Sequence, residues 1–256
     1  MVICSVAIIF LSILLAGCTS SNGLSNVYLV SLRYRNTSAS AEVDPEIVNP
    51  SIAEKIYGVM RPLNDKIIEV RAGYMGLCLT RSDHSRLCSS SAAALASMAR
   101  ADGNNGTADP LNLIWIAKNF KETIVFDGLI FIAVVLIFIC FLLLSTFPGW
   151  HEEVDESGSE REVRPFPSRP VAQGALGLST LGFLFGLVSI LWQHINSSAA
   201  GAMSESLSYG AIESHVGTAA MVFGWIAVVC MGIVALALLA TIMSVSLLQQ
   251  LTDEEL

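Results

Sequence analysis

The chain has 256 residues, 53% of them hydrophobic and 14% charged, with a formal net charge of −8 at pH 7 and a mean hydropathy of +0.62. That balance excludes a soluble domain and describes an integral membrane protein. Electrostatic capture of nucleic acid is excluded as well, because the longest polar segment, residues 19–123, sets eleven basic against ten acidic side chains.

Four apolar runs order the chain. The first, Val2 to Gly17, is about the shortest stretch that can cross hydrocarbon, so residues 2–18 read as a first transmembrane helix or a signal sequence. It ends in Leu15-Ala16-Gly17-Cys18, which resembles a lipobox, and Ala16-Gly17-Cys18 also suits a small-residue signal-peptidase site. Whether the run is kept or removed, residues 19–123 are expected outside the cell.

Within that outer segment, Tyr28, Val30, Leu32 and Tyr34 alternate with Leu29, Ser31, Arg33 and Arg35, the period of a half-buried strand. Ile68, Val70, Ala72 and Tyr74 repeat the pattern and run into a segment with two cysteines. Cys78 and Cys88, with nine residues between them, are the only pair in a polar stretch, so a disulfide closing a short loop between neighbouring antiparallel strands is expected. Cys4, Cys18, Cys140 and Cys230 sit inside or at the edge of apolar runs, where a thiol is usually a small hydrophobe. The stretch from Asp102 to Asp109 carries oxygen ligands and glycines, but it lacks the one-three-five acid pattern and terminal Glu of an EF-hand and reads as a linker. Any metal-binding residue is left unknown. Asp109 can cap a helix opening at Pro110, with Leu113, Ile116, Ala117, Phe120 and Ile124 at helical spacing into the second span.

The later runs give helices at 124–147, 171–192 and 217–248, the last longer than a bilayer needs. Asp127 is the one acid inside an apolar stretch, near enough to its start to lie at the boundary. Gln173 and His194 stand at the two ends of the third span. Gly182 and Gly186 form a small-xxx-small pair on it, which lets helix backbones approach, with an intramolecular bundle favoured over a dimer contact. The connection 148–170 and the tail 249–256 are acidic and read as solvated cytosolic segments, while 193–216 is a short extracellular loop. Arg161, Arg164 and Arg169 in the former, against no Lys or Arg in the latter, fit that orientation. So do the three N-glycosylation sequons, at Asn36, Asn105 and Asn196, which fall on one side when four spans are threaded in order.

No phosphate loop, His-Glu-x-x-His, nucleophile elbow or Cys-x-x-Cys occurs, and His84, His151, His194 and His215 share no local metal spacing. An enzyme is not expected, nor a cofactor. Membrane lipids are the partners that composition implies.

Val70-Arg71-Ala72-Gly73-Tyr74-Met75-Gly76-Leu77-Cys78, the second cysteine at Cys88 and three later spans resemble the fungal mating-induced Ca²⁺-regulator and membrane-fusion family, itself similar to claudins. Gly76 and Leu77 match the start of the claudin Gly-Leu-Trp motif, but Cys78 stands where claudins carry Trp, so paracellular claudin function is not carried over. The resemblance implies a claudin-like four-helix transmembrane bundle with a small disulfide-stapled extracellular β-sheet domain. It also implies a plasma-membrane regulator of Ca²⁺ influx and of cell fusion during mating, partnered by a Ca²⁺-channel subunit or another membrane protein. The alternative is an adhesion or membrane-organising protein at cell contacts. In the matched segment Gly73 and Gly76 allow tight backbone geometry or close strand approach, Tyr74 offers an apolar body with a polar tip, and Cys78 staples the sheet.

Overall fold

A computed structural model describes residues 1–19, 23–35, 50–60, 69–80, 85–101, 109–147, 151–154, 160–163 and 168–254. In chain order the elements are α1 (Val2–Leu15), β1 (Val30–Tyr34), α2 (Pro50–Met60), β2 (Glu69–Ala72), β3 (Leu77–Thr80), β4 (Arg86–Ser89) and α3 (Ala92–Ala101). There follow α4 (Leu113–Asn119), a π-helical turn at Phe120–Ile124, α5 (Gly128–Ser145), β5 (His151–Val154), β6 (Glu160–Val163), α6 (Arg169–Leu207), β7 (Ile212–Val216) and α7 (Thr218–Glu254). Two compact units result. One comprises Met1–Leu11, Gly128–Val188 and Trp225–Leu256, the other Ser12–Asp127 and Ser189–Gly224.

The first unit is helical. Among the described residues three helical stretches are long and apolar enough to cross a membrane, Gly128–Ser145, Arg169–Leu207 and Thr218–Leu247. The fourth expected span, α1, has 14 residues, which at the rise of an α-helix is about 21 Å and falls short of a hydrocarbon core of about 30 Å. Cys4, Ala7 and Leu11 nevertheless form one buried stripe on it. On α5 the stripe Ile130, Ala133, Ile137 and Cys140 is fully buried while Phe131, Val135, Phe138 and Leu142 are exposed. A helix apolar on both its buried and its exposed face is built for lipid.

Gly182 and Gly186 serve different neighbours. A β-carbon on Gly182 would stand 3.1 Å from Ile137 of α5, and one on Gly186 would overlap the Met231 methyl of α7. In this unit β5 and β6 also pair antiparallel, from His151↔Val163 to Val154↔Glu160, inside the acidic connection. Composition records the acidic excess there but not a four-residue ladder held by backbone hydrogen bonds.

The second unit is a five-stranded antiparallel sheet in the order β4-β3-β2-β1-β7. The alternation at 28–34 becomes β1, with Val30, Leu32 and Tyr34 buried, and that at 68–74 becomes β2. The fifth strand comes from 212–216, in the segment read from sequence as a short loop. Gly217 makes this pairing possible, since a side chain there would overlap the Tyr28 carbonyl beside β1. Ahead of it α6 continues past Trp192 to Leu207, because the polar residues after the apolar run still form helix.

The helix expected from Pro110 starts instead at Leu113, after Asn112 in the left-handed region at φ 53°. Asp109 still caps it, its carboxylate accepting the Leu113 amide at 2.7 Å and the Ile114 amide at 3.0 Å. Tyr34 donates to the same carboxylate at 2.5 Å, tying helix to sheet. The run does not feed into the second span as one helix, for Val125 is extended and α5 opens only at Gly128.

Candidate functional site

The Gly73–Gly76 segment joins β2 to β3 as a tight turn, with the Gly73 amide donating to the Gly76 carbonyl at 2.9 Å. What lies against it is not a strand but the Gly17-Cys18 corner that follows α1. A β-carbon on Gly73 would overlap the Gly17 carbonyl, and one on Gly76 would overlap the Cys18 carbonyl. Both contacts are with backbone, so the two glycines are sites of close approach.

Between them, Tyr74 points inward. Its ring is buried and its hydroxyl donates to Oε1 of Gln193 on α6. Burial is the largest influence on this phenol and pushes it above the usual tyrosine range, the Ser189 hydroxyl working against that and the Asp127 charge with it. Met75 alone turns outward, its side chain 42% exposed. Its carbonyl is held by Lys121, whose Nζ donates at 2.8 Å. Leu77 is buried at the start of β3.

Behind the turn, Cys78 and Cys88 are joined by a disulfide across directly opposed positions of β3 and β4. Cys78 Sγ lies 3.6 Å from the Cys18 carbonyl oxygen. Cys18 itself is fully buried in the left-handed region at φ 59°, its thiol donating to the Val27 carbonyl at 3.5 Å. Turn, corner and disulfide thus share one tightly packed spot.

A polar clamp flanks it. Arg71 on β2 forks onto Glu69, Nε to Oε1 at 2.8 Å and Nη2 to Oε2 at 3.2 Å, and donates through Nη1 to Asn26 Oδ1 at 2.9 Å. Its guanidinium stands 4.9 Å from the centre of the Tyr28 ring. Arg86 on β4 adds a bond to Ser25 Oγ at 2.8 Å. A planar fork meeting a carboxylate fixes orientation as well as energy, so the segment 25–28 is held against the sheet.

Of the residues singled out by sequence, Gly73, Tyr74, Gly76, Leu77, Cys78 and Cys88 come together here, while Gly182 and Gly186 lie in the helical unit. Asn196 lies inside α6, its amide donating to the Trp192 carbonyl at 2.8 Å. Asn36 and Asn105 lie outside the described residues. Asp127 is exposed in the break before α5. Among the described residues no three His, Cys, Asp or Glu side chains gather to hold a metal ion. Of the stretch 102–109 only Asp109 is described, and it serves Tyr34 and α4.

Gly17, Cys18, Gln193 and Lys121 belong to the site without having been assigned to it. In the sequence Gly17-Cys18 reads as part of a processing signal, and Cys18 as a small hydrophobe at the edge of an apolar run. Gln193, a polar residue just after the apolar run, was the visible cue for a buried partner.

A family model described as Ca²⁺ regulator and membrane fusion protein Fig1 matches residues 61–244, a stretch that includes the turn, the disulfide, two of the long apolar helices and most of the third. No curated protein matches the chain significantly.

Proposed function

Because the chain belongs to the Fig1 family of Ca²⁺ regulators and membrane-fusion proteins, we propose that it acts in the plasma membrane, during mating, on a Ca²⁺-permeable channel or an associated membrane protein. Its sheet unit is the acting part and faces the cell exterior. The long apolar helices anchor the chain in the bilayer, with 149–170 and the C-terminus in the cytosol. No chemistry is catalysed, and the regulation is mechanical: one rigid surface presented to a partner.

The observation that carries this reading is the turn. Gly73, Tyr74 and Gly76 are all committed inward, against Gly17, Gln193 and Cys18, and the disulfide backs them, so the exposed Met75 side chain is presented from a fixed support. A preorganised tip loses little freedom on binding. Methionine suits an adaptable apolar contact.

The test is Ca²⁺ influx in single, non-contacting cells exposed to mating pheromone. Cells lacking the chain should show reduced entry, restored by the wild-type protein. Normal entry in isolated cells, with a defect only between touching pairs, would overturn channel regulation in favour of adhesion.

A further inference from the structure

The sheet unit contains a cleft whose polar chemistry the turn does not use up. Phe126 and Trp192, each more than half exposed, form its rim, and the buried Ser189, Gln193 and Ser197 lie at its floor beside Tyr74. The space left there is about 10 Å³, room for one water-sized group. The Ser197 hydroxyl is buried and makes no hydrogen bond, and that of Ser189 has only the Tyr74 phenol beside it. An orphaned buried hydroxyl is costly and rare, so a missing partner is implied at Ser197.

The rim says what kind of partner. Trp192 closes the apolar run of α6 and Phe126 stands two residues before the first residue of α5, so both sit where interfacial aromatics sit. The Trp192 indole is pinned by its Nε1–H, which donates to the Ile124 carbonyl at 3.1 Å. No Lys or Arg lines the cleft, and the neighbouring Asp127 carries negative charge, so a phosphate headgroup has nothing to hold it and something to repel it. What fits is an uncharged headgroup no larger than a hydroxyl, on a stiff apolar body able to lie along exposed aromatic rings.

We propose that this cleft binds a membrane sterol, with its 3β-hydroxyl on Ser197 and Ser189 and its fused rings against Trp192 and Phe126. The inference stands on the chemistry of the cleft and does not depend on the Ca²⁺ reading.

The full chain, purified into lipid nanodiscs with a photoreactive 3β-hydroxysterol, provides the test. Crosslinks should concentrate on the Phe120–Phe126 and Trp192–Ser197 peptides. Excess unlabelled sterol should compete, while its 3-O-methyl ether and a diacylglycerol at equal mole fraction should not. Ser197→Ala should lower labelling by about fivefold, the loss expected from one hydrogen bond of roughly 1 kcal/mol. Ser189→Ala gives the same readout if the first variant does not fold. Labelling spread evenly over the lipid-exposed helices, equal competition by the ether or the diacylglycerol, or unchanged labelling in both variants would overturn the proposal.

Discussion

A side chain at Gly76 meets the Cys18 carbonyl, a backbone group that cannot swing away. We expect Gly76→Val to fail in surface delivery, with cell-surface biotinylation reading a loss of most of the protein; wild-type surface levels would show that the corner is not packed against the turn. Tyr74→Phe keeps the ring and removes the hydroxyl that serves Gln193. Losing one buried hydrogen bond costs about 1–2 kcal/mol, which should appear as a lower thermal midpoint in detergent and not as misfolding. Tyr34 and Tyr74 also set an alkaline limit. Burial is the main cause that raises both phenols above the ordinary value of 10.0, assisted at Tyr34 by Asp109. Above that pH the unfolded chain releases protons that the folded chain keeps, so stability is present below it and declines as pH rises. The tyrosinate absorbance of Tyr34 and Tyr74, read as the difference from their Phe variants, should therefore rise together with loss of structure, and titration of either phenol in the intact fold would contradict its burial.

At the scale of elements, β4 is an edge strand with the disulfide tying it to β3. Replacing Cys78 and Cys88 together by Ala should cost about 2–4 kcal/mol in the sheet unit, measured as a drop in thermal midpoint; an unchanged midpoint would make the bond incidental. Asn196 is inside a helix with its amide bonded back to Trp192, so Asn196→Gln should leave the glycosidase-sensitive mobility shift unchanged. The strands β1 and β2 were legible because apolar residues alternate with polar ones over each. Strand β7 was not: Ile212-Glu213-Ser214-His215-Val216 has apolar residues only at its ends, and its partner β1 lies far away in sequence. Pairing of that kind leaves no local period. Likewise the helix start at Leu113 depends on a left-handed Asn112, which the Asp109-Pro110 signal conceals.

For the whole molecule, composition alone announced a membrane protein, and the cysteine spacing pointed to the staple. The convergence of Gly17-Cys18, Gly73–Gly76 and Gln193 could not be read the same way, since it joins the ends of apolar runs to a turn between strands. The proposed topology, with residues 19–123 outside and both acidic segments inside, predicts that a C-terminal tag in sealed right-side-out vesicles is fully protected from protease; digestion without lysis would refute it. The most direct measurement is pheromone-induced Ca²⁺ influx in non-contacting cells carrying Met75→Asp at wild-type surface abundance. The exposed tip is the one position of the turn that can change without disturbing the support, so entry should fall towards that of cells lacking the chain. Influx equal to wild type would contradict the claim that the chain acts through this turn.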